Sequence, residues 1–428
     1  MIRPQPSGTG RQMFEVRHAL LAYWLARRIK TRAQLKGRTA AKLHNWLQRD
    51  VPQVPFYAGR KVTTLDDLPI IDKATLMADF AAFNTAGITA EMGWQAFAGS
   101  KQIGKLVVGA STGTSGNRGL FVISQAERFR WLGSILAKAL PGFWRKRHRV
   151  AVLLPLNTPL YDSANRMQRL KLRFFDIGQP WEDDLAAFQP TVIIAPPKVL
   201  RQIAMQAMPL APEHVFAAAE TLDPVDAAFI AAHFNRPLRQ IYMATEGLFA
   251  VSCEQGTLHL CEDTMHFELP QVGDDPDLRA VIVSDFSRRT QIMARYRMND
   301  LIRLGPPCAC GLPHQTVAEV VGRVDDCFTL AGMTITPDVM RNAVVDADRK
   351  ITDFRIIQTG ATEIEVLVPY GVDCDAVLQA VMGALRAWSA TARVIVRAAD
   401  LKPDMSRKLR RVENRWRGGV PIAGIDRQ

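Results

Sequence analysis

From Phe14 to Leu47 apolar residues recur at helical spacing, at Val16, Leu20, Leu21, Trp24, Leu25 and Ile29, and predict one or two basic amphipathic helices. Such a segment suits either a membrane surface or the body of the protein. Trp24, Leu25 and Trp46 suit a core face, so packing on a large domain is the expectation. A proline-broken connector, 51–57, follows, and Asp72 is placed to cap a helix running through Met77 to Phe83. Short apolar runs at 105–110 and 120–124 read as strands. Ser124 with Glu127 forms a capping box for a helix through Leu140. Runs at 149–154, 192–195 and 214–219 read as buried strands, with a helix at 198–208. Strands alternating with helices imply a covered parallel sheet, with ligands gathering at the strand ends. Residues 251–270 read as a small antiparallel excursion, and 281–286 as a further strand. The last hundred residues read as a compact α+β unit: strands at 354–359 and 363–368, a helix at 373–388 and a strand at 392–396.

Between the strands at 105–110 and 120–124 lies Ser111-Thr112-Gly113-Thr114-Ser115-Gly116-Asn117-Arg118-Gly119. Glycine lets the main chain approach a ligand, and successive amides with Ser and Thr hydroxyls make a nest for an anion. An ordinary polar hairpin has the same composition. Two common phosphate loops fit poorly. No Lys follows Gly116, as the P-loop pattern requires. The continuation is strand-like, whereas a dinucleotide fingerprint opens a helix.

The chain has 428 residues, enough for two or three domains, with an ordinary 48% apolar and 22% charged content. No apolar run is long enough to span a bilayer, and residues 1–5 lack the apolar core of a signal peptide, so cytoplasmic residence is expected. Net charge is 54 − 42 = +12, much of it near the two ends. A basic surface attracts nucleic acid, anionic membranes or acidic ligands and carrier proteins. No RNA-binding or zinc-finger signature accompanies it, so nucleic acid is not an expected partner.

The loop resembles the phosphate loop of the adenylate-forming superfamily, which includes acyl-CoA synthetases and peptide-synthetase adenylation domains. The usual form is Ser-Ser/Thr-Gly-Thr-Thr/Ser-Gly-x-Pro-Lys. Arg118 and Gly119 stand where Pro and Lys are usual, leaving Arg118 to supply charge to a phosphate. Further elements resemble the superfamily in order along the chain. Ala219-Glu220-Thr221-Leu222 matches its Gly-Glu-x-Leu at the adenine pocket, with Ala219 for Gly. Tyr242-Met243-Ala244-Thr245-Glu246 matches Tyr-Gly-x-Thr-Glu. Tyr296-Arg297-Met298-Asn299-Asp300 matches Tyr-Arg-Thr-Gly-Asp, and Gly322-Arg323-Val324-Asp325-Asp326 matches Gly-Arg-x-Asp-Asp. Lys408 matches the lysine of the C-terminal Pro-x-x-x-Gly-Lys, with Arg407 for Gly. Within the superfamily the chain is most similar to phenylacetate-CoA ligases. Val54-Pro55-Phe56-Tyr57 and Leu65-Asp66-Asp67-Leu68-Pro69-Ile70-Ile71-Asp72-Lys73 resemble two of their N-terminal elements, to which no chemistry attaches.

The resemblance implies a large α/β domain with covered parallel sheets, residues 1–324, and a small mobile α+β lid, residues 325–428, hinged at Asp325. It implies ATP binding by Ser111, Thr112, Gly113, Thr114, Ser115, Gly116, Arg118, Ala219, Glu220, Tyr242 and Asp300. Catalytic roles fall to Thr245, Glu246, Arg323 and Lys408. A strand-end tyrosine can stack on a purine, Asp300 can accept both ribose hydroxyls, and Glu246 can hold Mg²⁺. The implied reaction joins a carboxylic acid to ATP, giving acyl-adenylate and pyrophosphate, and then passes the acyl group to a thiol of CoA or a carrier protein. The alternatives are a ligase serving an amine or hydroxyl, and a non-catalytic relative that binds a nucleotide or a partner. Residues 156–175 and 243–249 are expected to line the acid pocket, and their apolar and aromatic content favours an aromatic or medium apolar acid.

Six cysteines are too few for a disulfide scaffold in a chain this long. Cys253 and His259 precede Cys308-Ala309-Cys310 by about fifty residues. Thiolates and an imidazole on two turns suit tetrahedral Zn²⁺, although reduced thiols fit the spacing equally. Phenylacetate-CoA ligase-like proteins have a similar Pro-Cys-x-Cys-Gly element, which favours a structural zinc on Cys253, His259, Cys308 and Cys310. Cys261 competes, two residues from His259 on one strand face.

Overall fold

The computed structural model describes residues 8–111, 118–154, 165, 167, 169–348, 350–401, 405 and 408–416, with side chains from Glu15 onward. The N-terminal apolar periodicity resolves into two helices, α1 (Gly8–Arg27) and α2 (Arg32–Arg49), the second capped by Thr31. α3 (Lys73–Ala78) starts at Asp72, whose carboxylate accepts from the Thr75 amide at 2.8 Å. It ends sooner than the pattern predicts, because Asp79 caps a separate 3₁₀ turn, Phe80–Phe83. α4 (Ala90–Ala98) leads into a three-stranded sheet, β1 (Gln102–Ile103), β2 (Leu106–Ala110) and β3 (Leu120–Ser124). β2 and β3 are the antiparallel strands expected on either side of the glycine-rich loop.

Next come α5 (Gln125–Ala139), β4 (His148–Leu154), β5 (Leu170–Asp176), α6 (Glu182–Phe188), β6 (Val192–Ala195), α7 (Pro197–Met205), β7 (His214–Ala218), α8 (Pro224–Phe234) and β8 (Leu238–Ala244). Strands β4 to β8 pair in parallel in the spatial order β5-β4-β6-β7-β8. Successive side chains on these strands enter opposite cores: Val150 and Val152 join one, Ala151 and Leu153 the other. That alternation is what a sheet buried on both faces requires. The parallel sheet is only half of the whole. Beyond β8 the same sheet continues through antiparallel strands β9 (Gly247–Ser252), β10 (Leu258–Leu260), β11 (His266–Glu268), β12 (Leu278–Ser284), β13 (Tyr296–Leu304) and β14 (Thr316–Arg323), making eleven strands in all. No helix lies between consecutive strands there, and neighbouring strands run antiparallel.

Helix α5 carries one core onto α1, and Gly133 sets the distance: a Cβ built there would stand 2.0 Å from the Ala19 carbonyl oxygen. Ala19 and Tyr23 of α1 are buried in that contact. Trp24 and Leu25, expected on the core face with them, instead point to solvent, 51% and 36% exposed. Tyr23 already fills the contact, and one turn of helix cannot turn positions 23, 24 and 25 to the same side. Trp46 of α2 is buried as expected, its indole donating to the Arg288 carbonyl.

The C-terminal part has its own core, running from Phe328 to Val412. It comprises the ribbon β15 (Phe328–Leu330) and β16 (Met333–Ile335), α9 (Pro337–Val345), and a sheet ordered β19-β18-β17-β20 over α10 (Cys374–Ala387). These strands are β17 (Arg355–Gly360), β18 (Glu363–Val368), β19 (Arg393–Ala398) and β20 (Val412–Asn414). Among the described residues no helix is long and apolar enough to cross a membrane.

The capping box at α5 does more than cap. Glu127 accepts from the amide and hydroxyl of Ser124 at 2.6 Å each, and also from the Arg289 and Thr290 amides at 2.5 and 2.8 Å. Burial pulls its pKa upward, but these donors outweigh it and hold the carboxyl below the usual glutamate value. Glu127→Gln should therefore cost about 2 kcal/mol at neutral pH. A depressed folded pKa contributes stability above the unfolded value of 4.5 that is lost as pH falls through the folded value. Urea titrations should show the difference between wild type and variant shrinking below that pH. A pH-independent difference would mean that the charge on Glu127 is not what matters.

Candidate active site

A cavity of about 180 Å³ opens at the ends of β7 and β8, where a parallel sheet presents its ligand side. Ala219, Glu220, Tyr242, Asp300, Arg323 and Lys408 all line it. These six residues span 190 positions in sequence, and each reaches the cavity by a different route. Ala219 follows β7 directly and sits at φ +69°, the left-handed region that costs an alanine roughly 1–2 kcal/mol relative to glycine. Tyr242 is on β8. Asp300 and Arg323 are register partners on β13 and β14. Lys408 comes from the segment before β20.

The charged groups act on one another. The Tyr242 hydroxyl donates to Asp300 Oδ2 at 2.7 Å, and its ring packs on Phe249 with centroids 4.9 Å apart. Burial pushes the Asp300 carboxyl up from the usual aspartate value, while the Tyr242 hydroxyl, Arg323 and Lys408 pull it down. Lys408 is lowered by burial and by repulsion from Arg323, against the attraction of Asp300, Glu220 and Glu246. Glu220 is raised by burial and partly restored by Lys198, whose ammonium lies 3.0 Å away. The cavity is thus lined by half-buried charges of both signs, and an added anion would meet Arg323 and Lys408 there.

Thr245 and Glu246 lie just outside the cavity lining. Thr245 gives its carbonyl to Arg288 Nη2 at 3.1 Å. Glu246 is buried, and its Oε1 accepts from the Tyr296 hydroxyl at 2.9 Å with Lys73 Nζ at 3.8 Å. Lys73 arrives because Ile71 pairs with Tyr296 as an isolated bridge, its amide bonded to the Arg295 carbonyl and its carbonyl to the Arg297 amide. The segment to which the sequence attached no chemistry is therefore stitched to β13 beside Glu246. Lys73 also runs alongside Gly119: a Cβ built there would lie 3.3 Å from Lys73 Cε.

Ser111 and Gly119 close the base of the glycine-rich loop, the Ser111 amide bonding the Gly119 carbonyl and the Gly119 amide bonding Ser111 Oγ, both at 2.8 Å. Thr112, Gly113, Thr114, Ser115 and Gly116 lie outside the described residues. Arg118 donates from Nε to the Ser111 carbonyl, and its guanidinium covers the Trp94 and Phe97 rings at 5.0 and 5.5 Å. Arg118 thus stands at the loop base with its charge unpaired by any carboxylate among the described residues, and Lys73 is a second cation there. Most of 156–175 also lies outside the described residues. Of 243–249, Met243 lines the cavity, whereas Leu248 and Phe249 are core residues.

Asp325 is exposed and clasped by Asn299: Nδ2 donates to its carboxylate at 2.6 Å, and its amide donates back at 3.2 Å. The next carboxylate, Asp326, pairs with Arg410. Arg411 binds Asp223 and Asp226 at the start of α8, and Asp353 of the C-terminal part. Burial opposes its charge, but the three carboxylates hold its pKa above the usual arginine value.

Cys253, His259, Cys308 and Cys310 bring their ligand atoms within 4.8 Å of one another. Cys253 Sγ is 3.9 Å from Cys308 Sγ, and Cys310 Sγ is 3.4 Å from His259 Nε2. Tetrahedral Zn²⁺ with ordinary bond lengths spaces two sulfurs about 3.8 Å apart, and a sulfur and an imidazole nitrogen about 3.5 Å apart. His259 Nδ1 faces the His314 carbonyl at 3.4 Å, the outer contact that orients a ligating imidazole. Cys261 stands outside the group. The chain turns after β10, and its thiol is buried in the core against α5, which pushes its pKa up to about 12.

No family model matches the chain, and no curated protein matches it by sequence. Solved structures do match. 2-Hydroxyisobutyryl-CoA ligase in its postadenylation state with 2-HIB-AMP superposes with a TM-score of 0.69 at 16% identity, over 97% of this chain and 94% of that one. The chain has the fold of the adenylate-forming enzymes. An open conformation of the same ligase with 2-HIB-AMP and CoA gives 0.61 at 17% identity, over 96% and 95%. ATP-bound MatB from Rhodopseudomonas palustris gives 0.51 at 15% identity, over 70% and 65%. In this adenylate-forming fold the cavity lies between the large sheet and the C-terminal part, and Arg411 bridges the two.

Arg411→Met would leave two large-sheet carboxylates with one cation fewer in a buried place, a change worth roughly 3–5 kcal/mol. Hydrogen exchange at β20 should accelerate and the urea midpoint should fall. If neither moved, Arg411 would not be what holds this segment down.

Proposed function

We propose that the protein is an adenylate-forming acid–thiol ligase. The observation that carries this reading is the convergence of Tyr242–Asp300, Arg323, Glu220 and Lys408 on one cavity at the ends of β7 and β8. In the first step a carboxylate oxygen of the substrate attacks the α-phosphorus of ATP. A phosphorus–oxygen bond forms, the α–β bridging bond breaks, and its electron pair leaves with pyrophosphate. Asp300 holds the ribose through the carboxylate oxygen not bonded to Tyr242, and the Tyr242 ring faces the base. Arg323 and Lys408 counter the charge that builds on the phosphate and the entering carboxylate. Lys73, beside Gly119, adds a cation to the one that Arg118 brings to the loop. Glu246, whose Oε1 meets the Tyr296 hydroxyl and Lys73, would hold Mg²⁺, which would supply charge neutralisation on the polyphosphate.

In the second step a thiol attacks the acyl carbonyl and AMP leaves. The lid, residues 325–428, turns about Asp325 between the steps, releasing the Asn299 clasp. CoA is the acceptor we favour, and the composition of 156–175 and 243–249 in the sequence favours an apolar or aromatic acid, with phenylacetate-CoA ligases as the branch of reference. ATP–pyrophosphate exchange against a panel of carboxylic acids tests the reading. At least one acid should support exchange, and Asp300→Ala and Lys73→Met should each lower it by about 10²-fold or more. Exchange with no acid of the panel, or full exchange in both variants, would contradict it.

The four-residue cluster we assign to a structural zinc, which would tie β9–β10 to the turn at Cys308. Elemental analysis of protein purified without chelator should find about one zinc per chain. Cys308→Ser should lower both zinc content and thermal midpoint. Metal-free protein whose stability is unchanged by that substitution would refute the site.

A further inference from the structure

Helix α1 is apolar on two sides. Its inner side meets α5 through Ala19 and Tyr23. Its outer side carries Arg17, Leu20, Leu21, Trp24, Leu25 and Arg28, all exposed, at spacings of three and four. These positions fall on one stripe along the helix. Four large apolar side chains occupy the middle of the stripe and an arginine stands at each end. Trp144 extends it: its indole donates to the Tyr23 hydroxyl at 3.2 Å, the Tyr23 ring lies 5.3 Å from that of Trp24, and Trp144 is itself 46% exposed. Arg145 lies over the Trp144 ring at 5.2 Å. From residue 16 to residue 49 the chain has nine Lys and Arg and no Asp or Glu; Arg32 and Lys42 are turned to Glu262 and Asp263, and Arg17 and Arg28 are exposed on the stripe itself. Exposed apolar groups gathered in one place mark an interaction surface, whereas scattered ones do not.

We propose that this outer face of α1 docks on an anionic lipid surface. The stripe runs along the helix axis, so the helix lies in the plane of the interface and does not cross it. Leucines enter the acyl boundary, the two indoles sit at headgroup level, and the flanking arginines meet lipid phosphates. Protruding side chains on a convex helix suit a deformable lipid layer better than a shaped protein groove. The positive charge selects anionic headgroups, and its attraction falls with salt. None of these residues lines the cavity, so the proposal stands apart from the reaction assigned above.

Co-sedimentation with vesicles tests it, using phosphatidylglycerol–phosphatidylcholine vesicles beside pure phosphatidylcholine ones. Wild type should pellet with the anionic vesicles at low salt, far less at high salt, and little with neutral ones. Leu21→Ser/Trp24→Ser and Arg17→Glu/Arg28→Glu should each bind roughly tenfold more weakly or less. Both variants lie on the exposed face and should keep the wild-type thermal midpoint. Wild type left in the supernatant with both vesicle types would overturn the proposal, as would variants that pellet like wild type. A dimer, or capture of an acidic carrier protein, that is lost in Leu21→Ser/Trp24→Ser while no vesicle binding occurs would overturn it in favour of a protein interface.

Discussion

Arg411 is buried among Asp223, Asp226 and Asp353, and much else follows from that placement. Two of the carboxylates begin α8, behind the large sheet, and the third belongs to the C-terminal core. A guanidinium that satisfies all three fixes β20 against both bodies, because five donors in a rigid fork allow little choice of position. Lys408 is three residues before it. Anchored so close, the lysine can only enter the cavity, where Asp300, Glu220 and Glu246 offset the cost of removing its charge from water.

Other ion pairs also cross between the two bodies. Arg303 meets Asp338, and Arg341 meets Glu319 and Asp223, while Lys198 reaches the Met405 carbonyl at 3.4 Å. Most of the described C-terminal apolar residues pack in their own core, while Cys327 and Met405 meet cores of the large body. An interface of this kind separates at modest cost, because charges leaving one another are taken up by water, whereas parting apolar surfaces gain nothing in exchange. The proposed lid, closing for one half-reaction and turning for the next, would draw on that property. Asp325, exposed and bonded to Asn299, is the pivot we propose.

Parallel strands, the α5 capping box and the order of site elements were legible because each is written locally, in apolar runs or in spacing of three or four. What escaped was set by distant partners. Lys73 reads as the first residue of a short helix, and only the pairing of Ile71 with Tyr296 shows that it stands beside Glu246 and Gly119. A partial signal was present, since Gly119 stands where a lysine is usual, but in the sequence Arg118 already stood as the source of that charge. Trp24 and Leu25 misled for the converse reason. Apolar residues at helical spacing predict a buried face, and the pattern cannot say that α5 needs only Ala19 and Tyr23. The turn after β10 likewise breaks the alternation that made Cys261 look equivalent to His259. The antiparallel half of the sheet was visible strand by strand, but its continuity with the parallel half depends on β8 pairing with β9, which no local pattern specifies.

The central claim is that Lys408 acts in one half of a two-step reaction from a lid pose secured by Arg411. Single-turnover kinetics of each half-reaction, measured with Lys408→Ala, test it most directly. Adenylate formation should fall by several orders of magnitude, while thiol transfer from a pre-made acyl-adenylate continues near the wild-type rate. Equal slowing of both halves would contradict the account and reduce Lys408 to a residue of binding or stability.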